Sequence, residues 1–413
     1  MDLNTGKLYW NGTLKKNMEF PPLEEDITCD VVIVGSGSSG AHCAYFMAET
    51  GLKVVLVDKR DISGGSTSAN TGLLQFSNDK SLTSLIHTFG VEAAVRHVKL
   101  CAQALQTLGN KIVPSLEDDP DFRFRQSLYF ASGNEDVPML QEEYQQLIKY
   151  GFHATYLTQN EINKIFPFSK PAALITDGDA EINPYKNAHY LIKYAQDKGV
   201  RIFSNTRING KILKEDKTIL YTDQGFSISA DKVIFATGYE AQEEVSERNA
   251  QVVSSYAIAT NPVYDDIGWK EDMMIWETAR PYIYARRTAD RRIIIGGLDE
   301  YTTYRNKRDS MIIHKRDKLI EELSKLFPSL QGNVKAEFYW GAFFGESRDG
   351  LPSIGMYENY PNCYFLLGYG GNGTVYSIIL SQIIRDLITK GSHPDIELYR
   401  SGGKARKESI AAI

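Results

Sequence analysis

Residues 29–51 read CDVVIVGSGSSGAHCAYFMAETG, and the reading of this stretch decides the fold. Val31-Val32-Ile33-Val34 is apolar without alternation, as expected of a strand covered on both faces of a parallel sheet. The run breaks into Gly35-Ser36-Gly37-Ser38-Ser39-Gly40, and a helical pattern follows until Gly51. The next strand, KVVLVD, ends on Asp58. In such a βαβ unit Gly35 allows the tight turn, Gly37 lets a pyrophosphate approach the backbone, and Gly40 lets the helix pack on the sheet. The helix N-terminus offers N–H groups and a partial positive charge to phosphates. Asp58 can accept from ribose hydroxyls and disfavours a 2′-phosphate, which leaves NAD or FAD. His42, inside this helix, reads as a residue that fills a face.

A second strand–turn–helix unit lies far downstream. Residues 363–377, CYFLLGYGGNGTVYS, run from an apolar strand into Gly368-Tyr369-Gly370-Gly371-Asn372-Gly373 and then a helix. Between the two units come a Ser/Gly/Asn loop at 61–80, amphipathic helical stretches, a β-meander ending Ala236-Thr237-Gly238, and a strand-rich region at about 251–305. This order predicts two interleaved domains, one α/β and one α+β, and 413 residues are enough for both. An NAD enzyme would continue with further βα units. One long cofactor, FAD, touched at the first cradle, at Thr237-Gly238 and at the second cradle accounts for the spacing.

The bulk composition excludes several classes. A net charge of −6 provides no electrostatic footprint for nucleic acid. No run reaches the length of a membrane span, and residues 1–26 lack the apolar core of a signal peptide, so a cytoplasmic location is expected. The 4 cysteines (Cys29, Cys43, Cys101, Cys363) have neither CxxC nor metal spacing and read as buried free thiols. No metal constellation is visible.

Eight motifs in order, DVVIVGSGSSG, VVLVDKR, GGSTSANTGLL, EINPYKNAHYLIKYAQDKGVRI, ADKVIFATGYE, YIYARRTADRRIIIGG, YWGAFFGESRDGLPSIG and CYFLLGYGGNGTVYS, resemble the FAD-dependent D-amino-acid oxidase and glycine/sarcosine oxidase superfamily. The likeness is strongest to its gamma-glutamylputrescine oxidoreductase-like branch and spans roughly 30–390. It implies a Rossmann-like FAD-binding domain interleaved with a substrate domain built on a mostly antiparallel sheet. The expected segments are an N-terminal arm at 1–28, FAD-binding parts at 29–84, 166–245 and 338–395, substrate parts at 85–165 and 246–337, and a tail at 396–413.

The resemblance further implies that FAD is held by Gly35, Gly37, Ser38, Ser39, Gly40, Asp58, Lys59, Ser66, Thr67, Ser68, Gly72, Leu73, Ile208, Thr237, Gly238, Gly371, Asn372, Gly373 and Thr374. The second cradle would face the pyrimidine edge of the flavin, where a helix N-terminus stabilises the reduced ring. The implied activity is oxidation of a primary or secondary amine, or an amino-acid derivative, to an imine by hydride transfer to flavin N5. O2 or another acceptor would take the electrons. The flavin carries the chemistry, so no catalytic side chain is nominated. The expected substrate-pocket residues are Trp276, Tyr282, Tyr284, Arg286, Phe344 and Tyr369, since strand alternation in PYIYARR puts Tyr282, Tyr284 and Arg286 on one face.

Departures from the family pattern carry equal weight. WGAFFGES contains no cysteine and GGSTSANTGLL no histidine, the residues that attach flavin in relatives, so the expected FAD is non-covalent. Where relatives place carboxylate-binding arginine or lysine, this chain aligns Phe344, Leu73 or Leu74, and Asn372; where sarcosine-type oxidases carry a lysine beside the flavin it aligns Ile294. An α-carboxylate beside the flavin would lack a partner. Arg286 is the residue expected to meet a more distant acidic group, with Arg348 as its competitor. The alternatives are a glycerol-3-phosphate dehydrogenase-like flavoenzyme and a flavin-binding RNA-modifying or non-enzymatic protein. The sequence leaves the oligomeric state open.

Overall fold

The computed structural model describes residues 1–402, apart from 16–17, 78–79, 246 and 248. Its helices and strands build two sheets, both mixed. Five strands of the eight-stranded sheet run parallel, in the order Cys363–Leu367, Ser227–Phe235, Ile27–Val34, Val54–Val57 and Arg201–Phe203. Ser353–Gly355 adds an antiparallel edge beside Cys363–Leu367, and the meander strands Ile208–Leu213 and Thr218–Thr222 extend antiparallel from Ser227–Phe235. Val31, Val32 and Ile33 are fully buried, which is why this strand shows no polar alternation. The helix Ser38–Met47 packs between Pro184–Asp197 and Gly373–Lys390.

The ten-stranded sheet runs Asn4–Lys7, Ala336–Ser347, Ala250–Thr260, Ile293–Glu300, Ile283–Arg287, Met274–Glu277, Arg123–Phe130, Ala172–Glu181 and Leu73–Leu74, with Ala154–Thr158 also on Ala172–Glu181. The sheet expected to be mostly antiparallel is mixed, because Met274–Glu277 joins Arg123–Phe130 in parallel. The long helix Arg305–Leu326 covers one face and buries Leu319, Leu323 and Leu326. It begins well before the amphipathic stretch visible in the sequence, because its first turns carry charged residues around the buried Arg308.

Sheet membership cuts across the expected segments. Ala172–Glu181 and Ala336–Ser347 belong to the ten-stranded sheet, although 166–245 and 338–395 were assigned to the FAD-binding part. Leu73–Leu74 does the same from within 29–84. The expected arm contains a strand, Asn4–Lys7, paired antiparallel with Ala336–Ser347. The expected tail holds a short helix, Ile396–Tyr399, whose Ile396 and Tyr399 are buried in the main core. Strand pairing set by the tertiary fold overrides boundaries drawn from local pattern. All four cysteines are free and buried.

Candidate cofactor and substrate site

A cleft of about 440 Å³ lies where the two sheets meet. The first glycine turn forms one wall. Gly35 has φ +107°, and a Cβ there would lie 2.5 Å from the Ala236 carbonyl oxygen. At Gly40 a Cβ would lie 1.7 Å from the Gly35 carbonyl oxygen, so the first turn of the helix can pack here only with a glycine at this position. Asp58 organises this turn from below. Its Oδ2 accepts from Ser36 N–H at 2.7 Å and Ser36 Oγ at 2.6 Å, and its Oδ1 accepts from Arg60 N–H at 2.8 Å. Burial outweighs these bonds and holds the carboxyl above its ordinary pKa.

Above the turn, Thr67 Oγ1 accepts from Ser38 N–H at 2.9 Å. Beside it, Glu240 binds Lys59 at 3.0 Å and Arg60 at 2.8 Å. Burial alone would raise Glu240, yet hydrogen bonds from Arg60 and Lys59 bring its pKa down to about 2. Arg60 and Glu240 escaped the sequence reading because their pairing spans 180 positions. The first residues of the chain cross the cleft as a strap. Leu3 lines it, Asn4 Nδ2 donates to the Gly65 carbonyl at 3.0 Å, and the buried Arg308 donates to the carbonyls of Asp2 and Leu3 at 3.0 and 3.2 Å.

The second glycine turn forms the facing wall. Neither helix N-cap, Gly37 or Asn372, makes a side-chain capping bond, and of the N–H groups that start the first helix Ser38 is taken by Thr67 Oγ1. The two starts are joined directly: Ser39 Oγ and Ser377 Oγ are 3.0 Å apart, and Cys43 Sγ and Ser381 Oγ follow one turn later at 3.2 Å. Two positive helix ends thus open side by side into one cavity. The Asn372 side chain accepts from Gln75 N–H at 3.1 Å and donates to the Gln75 carbonyl, clamping the segment after Leu73–Leu74 against this turn.

Most of the expected residues meet here. Gly35, Gly37, Ser38, Ser39, Asp58, Lys59, Ser66, Thr67, Leu73, Ile208, Thr237, Gly238, Gly371, Asn372, Gly373 and Thr374 line the cleft, as do Trp276, Tyr282, Tyr284, Phe344 and Tyr369. Four expected residues do not. Gly40 packs under the turn, and Ser68 turns its hydroxyl to the Gly65 carbonyl at 2.8 Å. Gly72, with φ +75°, sits against Ile182, where a Cβ would lie 2.1 Å from the carbonyl oxygen.

Arg286 is the substantial correction. Its side chain is buried and donates to the carbonyls of Thr71 at 2.8 Å and Ile182 at 2.7 Å, and it pairs with Glu181 at 3.4 Å. It therefore locks the Thr71-Gly72 loop onto the sheet and lines a separate cavity with Tyr9, Trp10 and Lys186. Arg348 is exposed and lines neither cavity. His42 fills a buried helix face, as expected, with Nδ1 2.8 Å from the Ser38 carbonyl. Ile294 is fully buried in the sheet core beside Trp10 and Trp340.

The cleft fits a polar, phosphate-bearing cofactor. Ser38 Oγ, Ser66 Oγ, Gln75 Nε2, Ser77 Oγ, Thr237 Oγ1, Trp276 Nε1 and Thr374 Oγ1 are buried and have no partner within the protein. All seven belong to residues that line this cleft. Buried polar groups are otherwise nearly always paired, so these donors and acceptors await something bound. They are contributed by both glycine turns and by both sheets.

Comparison with known proteins agrees. The family model for FAD dependent oxidoreductases matches residues 30–387. Gamma-glutamylputrescine oxidoreductase of Escherichia coli is 24% identical over 389 residues, covering 92% of this chain and 88% of its own. Among solved structures, glycine oxidase from Geobacillus kaustophilus superposes with a TM-score of 0.75 at 18% identity, covering 89% of this chain and 96% of that one. L-proline dehydrogenase from P. horikoshii gives 0.72 at 20% identity, covering 94% and 99%. A family match across most of the chain and a cleft built around two open helix ends converge on one conclusion: this chain belongs to the FAD dependent oxidoreductase family.

Proposed function

We propose that the chain oxidises a primary or secondary amine whose reacting carbon carries no carboxylate. The observation that carries this reading is the charge distribution along the cleft. Its basic lining residues are Lys59, Arg60, Arg207 and Lys211. They come from the loop after Val54–Val57 and from Ile208–Leu213 and the residue before it, both strands of the eight-stranded sheet. Lys59 and Arg60 are paired with Glu240, and Lys211 with Glu244. The other end is walled by Leu73, Gln75, Trp276, Tyr282, Tyr284, Phe344 and Tyr369, none of them charged. An α-carboxylate there would be desolvated without a partner, which costs several kcal/mol.

Asp58 with the first helix start would hold the ribose and pyrophosphate, and Gly371–Thr374 with the second helix start would lie along the flavin ring. Bound there, FAD supplies the hydride acceptor. The residues of this chain orient the amine. Tyr369, fixed by its hydroxyl donating to the Gly238 carbonyl at 3.1 Å, and Trp276, stacked on Tyr129 at 3.7 Å, form rigid walls. Burial raises the Tyr369 hydroxyl, so this phenol stays neutral at working pH and does not attract the ammonium form of the substrate. The likeness to gamma-glutamylputrescine oxidoreductase supports amine chemistry over the glycerol-3-phosphate alternative, which would need a basic residue at the uncharged end.

Among the described residues no cysteine or histidine lines the cleft, which supports non-covalent FAD. Among the described residues no lysine lines its aromatic end, which supports slow use of O2 and a preference for another acceptor. The test is anaerobic bleaching of the yellow holoprotein with alkylamines, diamines, glycine, sarcosine, D-alanine and glycerol 3-phosphate. Amines should bleach it fastest. Glycine, D-alanine or glycerol 3-phosphate as the best reductant refutes the reading. Acid precipitation should leave FAD in the supernatant.

A further inference from the structure

Arg286 and Arg348 do not reach the cleft, yet a guanidinium does stand beside its aromatic end. Arg280 lies in the loop between Met274–Glu277 and Ile283–Arg287, flanked by the lining residues Trp276 and Tyr282. Its guanidinium sits over the Tyr282 ring at 4.9 Å from the centroid. Burial pushes the Tyr129 hydroxyl up to about 12, and the Arg280 charge opposes that rise, so Arg280 also neighbours the ring stacked on Trp276.

The arginine is exposed and has no carboxylate partner among the described residues. It is held by its own loop, through Nη1 donating to the carbonyls of Thr278 at 3.2 Å and Ala279 at 2.9 Å, and by a hydrogen bond with the Tyr129 hydroxyl. Nearby acids are already used by neutral donors. Glu277 accepts from Ile283 N–H at 3.1 Å and Ser132 Oγ at 2.9 Å, and Asp136 accepts from Thr278 Oγ1 at 2.5 Å. The guanidinium is exposed to solvent, in the fork geometry that suits a carboxylate or phosphate. Deeper in the same wall, Trp276 Nε1 is buried and has no partner within the protein.

We propose that Arg280 determines specificity by binding an anionic group that the substrate carries remote from its reacting carbon, with Trp276 Nε1 donating to a neutral acceptor between the two. The inference rests on the amine reading above and adds a substrate class, an amine with a distal carboxylate or phosphate. The uncharged walls exclude an anion from the reacting carbon, while Arg280 rewards one at the solvent edge. A long substrate is thereby held at both ends, which fixes its direction of entry.

The holoprotein with Arg280→Ala and Arg280→Lys is compared with wild type using 6-aminohexanoate and hexylamine as reductants. R280A should raise the half-saturating concentration of 6-aminohexanoate by about tenfold while leaving its limiting bleaching rate nearly unchanged. Hexylamine should be unaffected, and R280K should restore part of the difference. Added salt should weaken only the charged amine. Equal losses for both amines, or for neither, overturn the proposal. Perturbation of the oxidised flavin spectrum by hexanoate and hexanamide needs no turnover. If no amine bleaches the wild type, the amine reading has failed, and this titration alone decides the role of Arg280. Hexanoate binding about tenfold weaker in R280A, with hexanamide unchanged, supports that role. Equal hexanoate binding by both proteins, or none by wild type, refutes it.

Discussion

The two glycine turns look alike in sequence and obey different constraints. In the first, the glycines are demanded by the protein itself: Gly35 has φ +107°, and Cβ atoms at Gly35 and Gly40 would lie 2.5 and 1.7 Å from backbone oxygens. In the second, a Cβ on Gly368 would meet nothing nearer than 3.6 Å, and one on Gly373 would meet the Gly368 carbonyl oxygen at 3.1 Å. Gly370 needs its φ of +120°, and the turn's Tyr369 and Asn372 are buried. The first turn is shaped by how strand and helix must join. The second is shaped by the space it leaves beside the cleft. Glycine patterns of equal appearance can thus report either internal packing or room for a ligand, and only the neighbours distinguish them.

Substitutions can break this contrast. Gly40→Ala has the largest expected effect, because a methyl group 1.7 Å from a carbonyl oxygen must push the helix off the sheet. A loss of about 4 kcal/mol or more is expected, read as a collapse of the thermal transition. Survival of Gly40→Ala with near-native melting would show that the first turn is as forgiving as the second. Asp58→Ala comes next. It removes the acceptor that holds Ser36 and Arg60, and FAD affinity should fall by about 1–3 kcal/mol, measured by FAD release on dilution.

The anchor of the second turn has a pH signature. Asp179 accepts from Phe76 N–H at 2.8 Å, next to the Gln75 that Asn372 clamps, and burial raises its carboxyl from 3.8 to about 7. Below about 4 both folded and unfolded chains hold this proton, and between about 4 and 7 only the folded chain does. Raising pH across that window therefore lowers the stability contributed here. Asp179→Asn should flatten that part of the melting-temperature profile, and an unchanged slope would assign the dependence to other groups. Gly368→Ala is the smallest effect, under about 1 kcal/mol on stability. A large loss there would erase the distinction between the turns.

Much of this was legible beforehand, for a physical reason. Asp58, Gly35 and Gly40 lie within one local βαβ unit whose periodicity and turn chemistry are complete in the chain. The aromatic wall was legible from the family likeness and strand alternation. Arg286 misled because alternation specifies a face and not a partner. Its guanidinium found the carbonyls of Thr71 and Ile182, which no local pattern announces. The parallel joint at Met274–Glu277, the Lys59–Arg60–Glu240 cluster and the Ser39–Ser377 bridge were hidden for the same cause, since each joins residues more than 100 positions apart.

The strap formed by the first residues has a consequence for the order of assembly. Asn4–Lys7 is synthesised early, but its partner Ala336–Ser347 and the second glycine turn are made near the other end. The strap cannot dock until residues 336–347 exist, and Leu3 then lines the cleft. Loading has a natural window in the interval before docking. Holoprotein yield should accordingly rise when FAD is present during translation, and equal yields from FAD added to finished apoprotein would show that the strap opens freely.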